Sequence, residues 1–217
     1  MLSDLLRWGG KRPEQPDTSA DGNGARGAAP VVPSKALPKF LAAIGQQSDA
    51  PVIIDLGPVI GGNVAYFGER LGCKLFIEDL YADCDRHARA STLGDLPATI
   101  ESRFRHGDGT VDGVLCWDVF DFLDKASAQA LAVQITRMLR PGGAVMGFFS
   151  TAVAERAAFT KYEVVDDNSL RHRTHPGTGG AKHVLGNRDI IKMFEGLVVS
   201  DSFLLKSNTR EILLRRK

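Results

Sequence analysis

The stretch Val52-Ile53-Ile54-Asp55-Leu56-Gly57-Pro58-Val59-Ile60-Gly61-Gly62-Asn63 decides the reading of this chain. Its first five residues carry no polar alternation, the pattern of a strand buried on both faces of a parallel sheet. A glycine-containing turn follows. Val64, Phe67 and Leu71 then recur at helical spacing, Gly72 can end the helix, and KLFI (74–77) reads as a second strand closing on Glu78 and Asp79. Together these make a βαβ unit. Downstream, GVLCWD (113–118) is another buried strand, and a helix capped near Asp124 carries Leu131, Ile135, Met138 and Leu139 as a core stripe. Pro141, Gly142 and Gly143 stop that helix before the strand AVMGFF (144–149). The segments VVSDSFLLK and TREILLRRK, joined around Ser207 and Asn208, have the form of a β-hairpin. Strands and helices that alternate and finish in a hairpin predict a three-layer α/β fold, mostly parallel with an antiparallel edge.

The 217 residues are 43% hydrophobic and 24% charged, with a net charge of +1, so no basic excess exists to drive nucleic-acid binding. No apolar run approaches the roughly 20 residues needed to span a bilayer. Met1 to Gly10 lacks the continuous apolar stretch of a secretory signal, and a cytoplasmic protein is expected. Cys73, Cys84 and Cys116 form no C-x-x-C pair, consistent with reduced thiols rather than a disulfide or zinc framework. Residues 1–33 are read as a flexible segment, because Gly9 to Pro33 is dense in Gly, Pro and small polar residues. Leu2, Leu5, Leu6 and Trp8 ahead of it form either a frayed terminus or a docking face. The domain is expected over 34–217, opening at Ser34, which can cap a helix through Phe40 and Ile44 to Gly45.

In such a sheet a ligand sits beyond the carboxyl ends of the strands. Gly57 and Gly61 allow close backbone approach there, and Glu78 lies 21 positions beyond Gly57 (78 minus 57), near the roughly 20 expected of an acid that accepts ribose hydroxyls. A tight strand-to-helix turn with a solvated Glu accounts for the same residues.

Over Ser34 to Lys217 the sequence resembles class I S-adenosylmethionine-dependent methyltransferases. Four features carry the resemblance, in order: DLGPVIGGN as the nucleotide loop, FIEDL with its acid, DGVLCWDVFDFL, and LRPGGAVMGFF. The resemblance implies a Rossmann-like sheet of seven strands with the last antiparallel, and S-adenosyl-L-methionine as cofactor. It places Asp55, Gly57, Pro58, Gly61, Asn63, Glu78, Asp79, Cys116 and Trp117 at the donor. Val59 stands where the family has its middle glycine, and the stretch from Asp79 to Asp112 offers only Asp95 and Asp108 as the adenine-contacting acid of a third strand. These departures motivate an alternative, a non-catalytic methyltransferase-like binding or regulatory module.

Methyl transfer needs donor and nucleophile held in near-attack geometry and sometimes a base. Asp118 is the candidate, either orienting or deprotonating the acceptor or serving as a helix cap. The sequence has no Asn/Asp-Pro-Pro-aromatic motif, which with the neutral charge points away from nucleic acid and toward a small-molecule or protein acceptor. The acceptor site is expected between Trp117, Asp118 and the segment 150–183. There Phe159 and Tyr162 offer apolar contact, and KYEVVDD and LRHR can pair as a hairpin. Arg171 and Arg173, on one face of that hairpin, would favour a carboxylate or phosphate, or simply solvate it. His172, His175 and His183 lie in a Cys-free, Arg-rich segment and are read as loop residues rather than a metal site.

Overall fold

Ile53 and Ile54 are neighbours in sequence and both fully buried, one on each face of strand β2 (Val52–Asp55). That two-sided burial explains the missing polar alternation. The computed structural model describes residues 29–153, 158–176 and 183–217. The sheet that contains β2 has six strands in the order β3 (Lys74–Ile77), β2, β4 (Val111–Trp117), β5 (Leu139–Ser150), β9 (Thr209–Arg216) and β8 (Leu197–Leu204). The first four run parallel, and β9 pairs antiparallel with both β5 and β8. The closing hairpin is therefore present, with Asn208 at φ 54° in its turn.

Among the described residues the sheet is mixed and has six strands, where seven were expected. Where the third strand was sought, the chain forms helix α3 (Leu80–Ala90), a 3-10 turn (Leu93–Asp95) and helix α4 (Leu96–Arg103). Leu96 and Ile100 of α4 are buried in the core, so this polar stretch adds a helical layer rather than a strand. Asp95 opens α4 and Asp108 pairs with Arg137 at 2.7 Å.

Alternate residues of β4 sort onto two cores. Val114 and Cys116 face α4, α5 (Lys125–Met138) and α6 (Asn187–Met193), while Leu115 and Trp117 face α1 (Leu37–Gly45) and a second sheet. Burying each large aliphatic or aromatic side chain contributes about 1.5–3 kcal/mol. Gly113 is required on the α1 side, since a Cβ there would lie 2.7 Å from Phe40 Cζ and 2.8 Å from Ile44 Cγ2. Helix α1 is anchored at its start: Leu37 N donates to Ser34 Oγ, and Lys35 N and Ala36 N donate to the buried Glu211 carboxylate.

The second sheet has three antiparallel strands in the order β1 (Val31–Pro33), β7 (Ser169–Pro176), β6 (Ala158–Asp166). The hairpin expected from KYEVVDD and LRHR is β6–β7, with Glu163 opposite Arg171 and Tyr162 opposite His172. β1 lies ahead of the expected boundary at Ser34. Val31, Val32 and Pro33 pair with Arg171, Leu170 and Ser169, so the last residues of the expected tether are part of the fold. Leu2, Leu5, Leu6 and Trp8 lie outside the described residues.

Candidate functional site

Asp55 ends β2 with its side chain buried, 1% exposed, beneath the glycine turn. Its Oδ1 accepts from Gly57 N at 2.9 Å and from Trp117 Nε1 at 2.5 Å. Burial pushes its carboxyl up to about 6, against the lowering effect of the Gly57, Trp117 and Asn63 donors. No Lys or Arg forms an ion pair with it among the described residues.

Trp117 is the last residue of β4 and holds φ at +48°, beside an irregularity in the β4–β5 pairing. A left-handed conformation costs a bulky residue roughly 1–2 kcal/mol. It turns the indole over Gly57, where an added Cβ would meet Trp117 Cδ1 at 2.7 Å. The closeness at Gly57 is thus used by the protein's own indole. Tyr162 stacks on that indole with centroids 5.3 Å apart and planes 5° apart, and Phe148 stacks on Tyr162 at 4.7 Å.

The turn continues through half-buried Pro58 and exposed Val59 into helix α2 (Gly61–Val64), which widens to a π-helix over Ala65–Arg70. Val59 does not adopt a positive φ, so the place of the family's middle glycine is filled without strain. Gly61 is exposed and open. Asn63 is buried and clasps β6: its Nδ2 donates to Tyr162 O and its Oδ1 accepts from Val164 N, at 2.9 and 2.8 Å. A Cβ on Gly62 would lie 2.7 Å from Glu163 Oε1, so a carboxylate of β6 rests against the start of α2.

At the end of β3, Glu78 is partly exposed and its Oε2 accepts from Arg103 Nε at 2.8 Å. Arg103 also pairs with the buried Asp83. Asp79 caps α3, accepting from Ala82 N. Cys116, expected at the donor, points the other way into the helical core, where burial pushes its thiol far up.

Asp118 is 2% exposed and accepts from the Tyr81 hydroxyl; Tyr162 hydrogen-bonds to it as well. It opens a 3-10 turn (Val119–Phe122) rather than capping a helix; the cap of α5 is Asp124, which accepts from Ser127 N. Beside Asp118 lies a cavity of about 200 Å³. Its walls come from the 3-10 turn (Asp118, Asp121), β5 (Phe148, Ser150), the β6–β7 hairpin (Thr160, Tyr162, His172) and the β8–β9 turn. Arg171 and Arg173 are not among its lining residues; both donate to Glu163 Oε2, at 2.9 and 3.0 Å. Phe159 stacks on His175 instead of facing the cavity, and the exposed His183 donates its backbone N–H to Asp121 O. Among the described residues no group of three His, Cys, Asp or Glu could hold a metal.

Sequence reasoning missed Tyr81, Arg103, Asp121 and Glu163. Asp121, three positions after Asp118 in DVFD, carried a faint signal; the other three depend on which helix or hairpin folds over the turn, which the sequence does not display.

At the turn the Trp117 N–H is held by the Asp55 carboxylate, the Glu163 carboxylate rests against Gly62 at the start of α2, and the Glu78 carboxylate accepts from Arg103.

Among solved structures, the chain is similar to PH0226 from Pyrococcus horikoshii OT3 at 13% identity and TM-score 0.48, over 84% of this chain and 90% of that one. It is similar to the CcbJ methyltransferase from Streptomyces caelestis at 15% identity and TM-score 0.48, over 83% and 94%. It is similar to Burkholderia thailandensis 1,6-didemethyltoxoflavin-N1-methyltransferase, solved with 1,6-didemethyltoxoflavin and S-adenosylhomocysteine, at 14% identity and TM-score 0.48, over 85% and 79%. No protein-family model and no curated protein matches the chain.

Proposed function

We propose that this chain is an S-adenosylmethionine-dependent methyltransferase, with its donor seat on the edge of β2, β3 and β4 and a small-molecule or protein acceptor bound beside Asp118. The observation that supports it best is Asp55, a buried carboxylate without a cationic partner among the described residues, set under a glycine turn. An uncompensated buried charge is costly, and a ligand ammonium would relieve that cost. Asp55 would hold the donor's amino group, the turn from Gly57 to Gly61 its carboxylate, and Glu78 its ribose. The bound donor supplies an electrophilic methyl on a sulfonium. The chain's own contribution is to orient the acceptor at Asp118 and to exclude water behind Trp117, Phe148 and Tyr162.

Binding requires Trp117 and Glu163 to yield their places. Calorimetry with S-adenosylhomocysteine tests the reading: a micromolar Kd with proton release near pH 6 supports it, because a ligand ammonium lowers the Asp55 carboxyl.

A second reading, a non-catalytic module that kept the fold, is favoured by the same indole over Gly57 and by the Asn63 clasp on β6. A folded sample that fails to bind at millimolar ligand selects it. Three unpaired cysteines accord with a reducing, cytoplasmic setting under either reading.

A further inference from the structure

We infer that the cavity beside Asp118 is a seat for a compact ammonium group, so that the acceptor is an amine rather than the acid that Arg171 and Arg173 would have favoured. The inference rests on the proposed methyl transfer only for the word acceptor; the binding chemistry stands on the cavity itself.

Three observations carry it. The lining holds two carboxylates, Asp118 and Asp121, and no Lys or Arg among the described residues. The two nearby guanidinium groups, Arg171 and Arg173, are committed to Glu163 on the other face of the hairpin, where strand alternation keeps them. His172 does not supply the missing positive charge, because burial pulls its imidazole below the ordinary value. A carboxylate or phosphate would therefore meet no cation in this lining to receive it.

The remaining wall suits a cation. Phe148 and Tyr162 lie parallel within 4°, with His172 edge-on to both, and aromatic surface next to a carboxylate is the combination that holds alkylammonium groups. Thr160 and Ser150 add hydroxyls for the N–H donors. The volume, about 200 Å³, is below the 300–1,000 Å³ of ordinary ligand pockets, so it takes a small amine or the amine end of a longer substrate. Tyr162, which lines the cavity, stacks on Trp117, whose N–H donates to Asp55.

The test titrates the isotopically labelled full chain, without donor, with n-butylammonium, butyrate and n-butanol, which share shape and differ in charge. Saturable amide shifts at Thr160, Tyr162 and Thr209, with a Kd at least tenfold lower for butylammonium than for the other two, support the inference. Asp118→Asn should reduce that preference to under threefold. Butyrate or butanol binding as tightly, shifts that map elsewhere, or no saturation overturns it, and each is read on the wild-type protein even where the variant fails to fold. S-adenosylhomocysteine is titrated separately. Amine selectivity without donor binding removes the methyl-transfer reading and keeps the cavity; donor binding without amine selectivity does the reverse.

Discussion

The indole N–H of Trp117 donates to Asp55 Oδ1 across 62 residues of sequence, joining the carboxyl ends of two parallel strands at 2.5 Å. The bond satisfies a buried carboxylate with a neutral donor, so the Asp55 carboxyl stays raised, at about 6. The folded protein thus binds a proton more tightly than the unfolded chain between the ordinary value of 3.8 and about 6. Stability from this group is full below the lower value and is lost as pH rises through the upper one, up to about 3 kcal/mol. Asp55→Asn should remove that dependence and gain on wild type between pH 4 and 7. Denaturant melts at three pH values check it; a variant effect of constant size across them would contradict the elevated carboxyl.

Trp117→Phe keeps an aromatic ring over Gly57 and deletes the N–H. Losing a hydrogen bond to a charged group should cost about 1.5–3 kcal/mol, and the Asp55 carboxyl should rise further, because one of the donors that lowers it is gone. A carbon-detected titration of the Asp55 carboxyl reads the shift. A fall, or no movement, would mean the indole contributes nothing to that carboxylate.

Glu163→Gln removes the carboxylate that rests on Gly62 and releases Arg171 and Arg173. Partly exposed pairs of this kind contribute about 0–1 kcal/mol, so the melting temperature should barely move. Affinity for S-adenosylhomocysteine should rise several-fold, because a competing anion has left the start of α2. Unchanged affinity in calorimetry would show that Glu163 does not stand in the donor's way.

The central strands β2 and β4 were legible because burial on both faces removes polar alternation: Ile53 and Ile54 sit on opposite cores. The hairpins were legible through turn residues and alternation. The third strand was expected from family likeness, yet its residues are too polar for a buried strand and pack instead as helices through Leu80, Leu96, Ile100 and the following Phe104. β1 was hidden because three residues in a Pro-flanked, glycine-rich stretch become a strand only through Leu170 and Arg171, far along the chain. At the site, the glycine turn was readable from its residues, and Asp55 from the family likeness. That Trp117 would fold back over Gly57 was not, since a positive φ on tryptophan runs against local preference.

β1 makes the position of an N-terminal truncation matter. A chain starting at residue 34 loses the pairing of Val31, Val32 and Pro33 with β7, including the hydrogen bond from His172 N to Pro30 O at 3.1 Å; one starting at residue 29 keeps it. The shorter chain should melt about 4–8 °C lower than the longer one, as for a loss of about 2 kcal/mol in a domain of this size. Equal melting temperatures would show that β1 adds nothing to the hairpin it edges.

Arg103 is the fork between two acids of unlike exposure, Glu78 at 24% and Asp83 at 3%. Removing it strands Asp83 with Arg86 alone, whose side chain is 64% exposed and screened by solvent. Arg103→Ala should therefore cost about 1–3 kcal/mol, less than the 3–5 typical of a fully orphaned buried charge. Arg103→Lys should recover only part, because an ammonium cannot reach both carboxylates as a planar guanidinium does. Glu78→Ala should behave in the opposite way, with a nearly unchanged melting temperature and S-adenosylhomocysteine affinity weakened by about 1–3 kcal/mol, the loss of charged hydrogen bonds to the ribose. Thermal melts and calorimetry on the three variants separate the roles. Full affinity in Glu78→Ala would leave that carboxylate as the partner of Arg103 and nothing more.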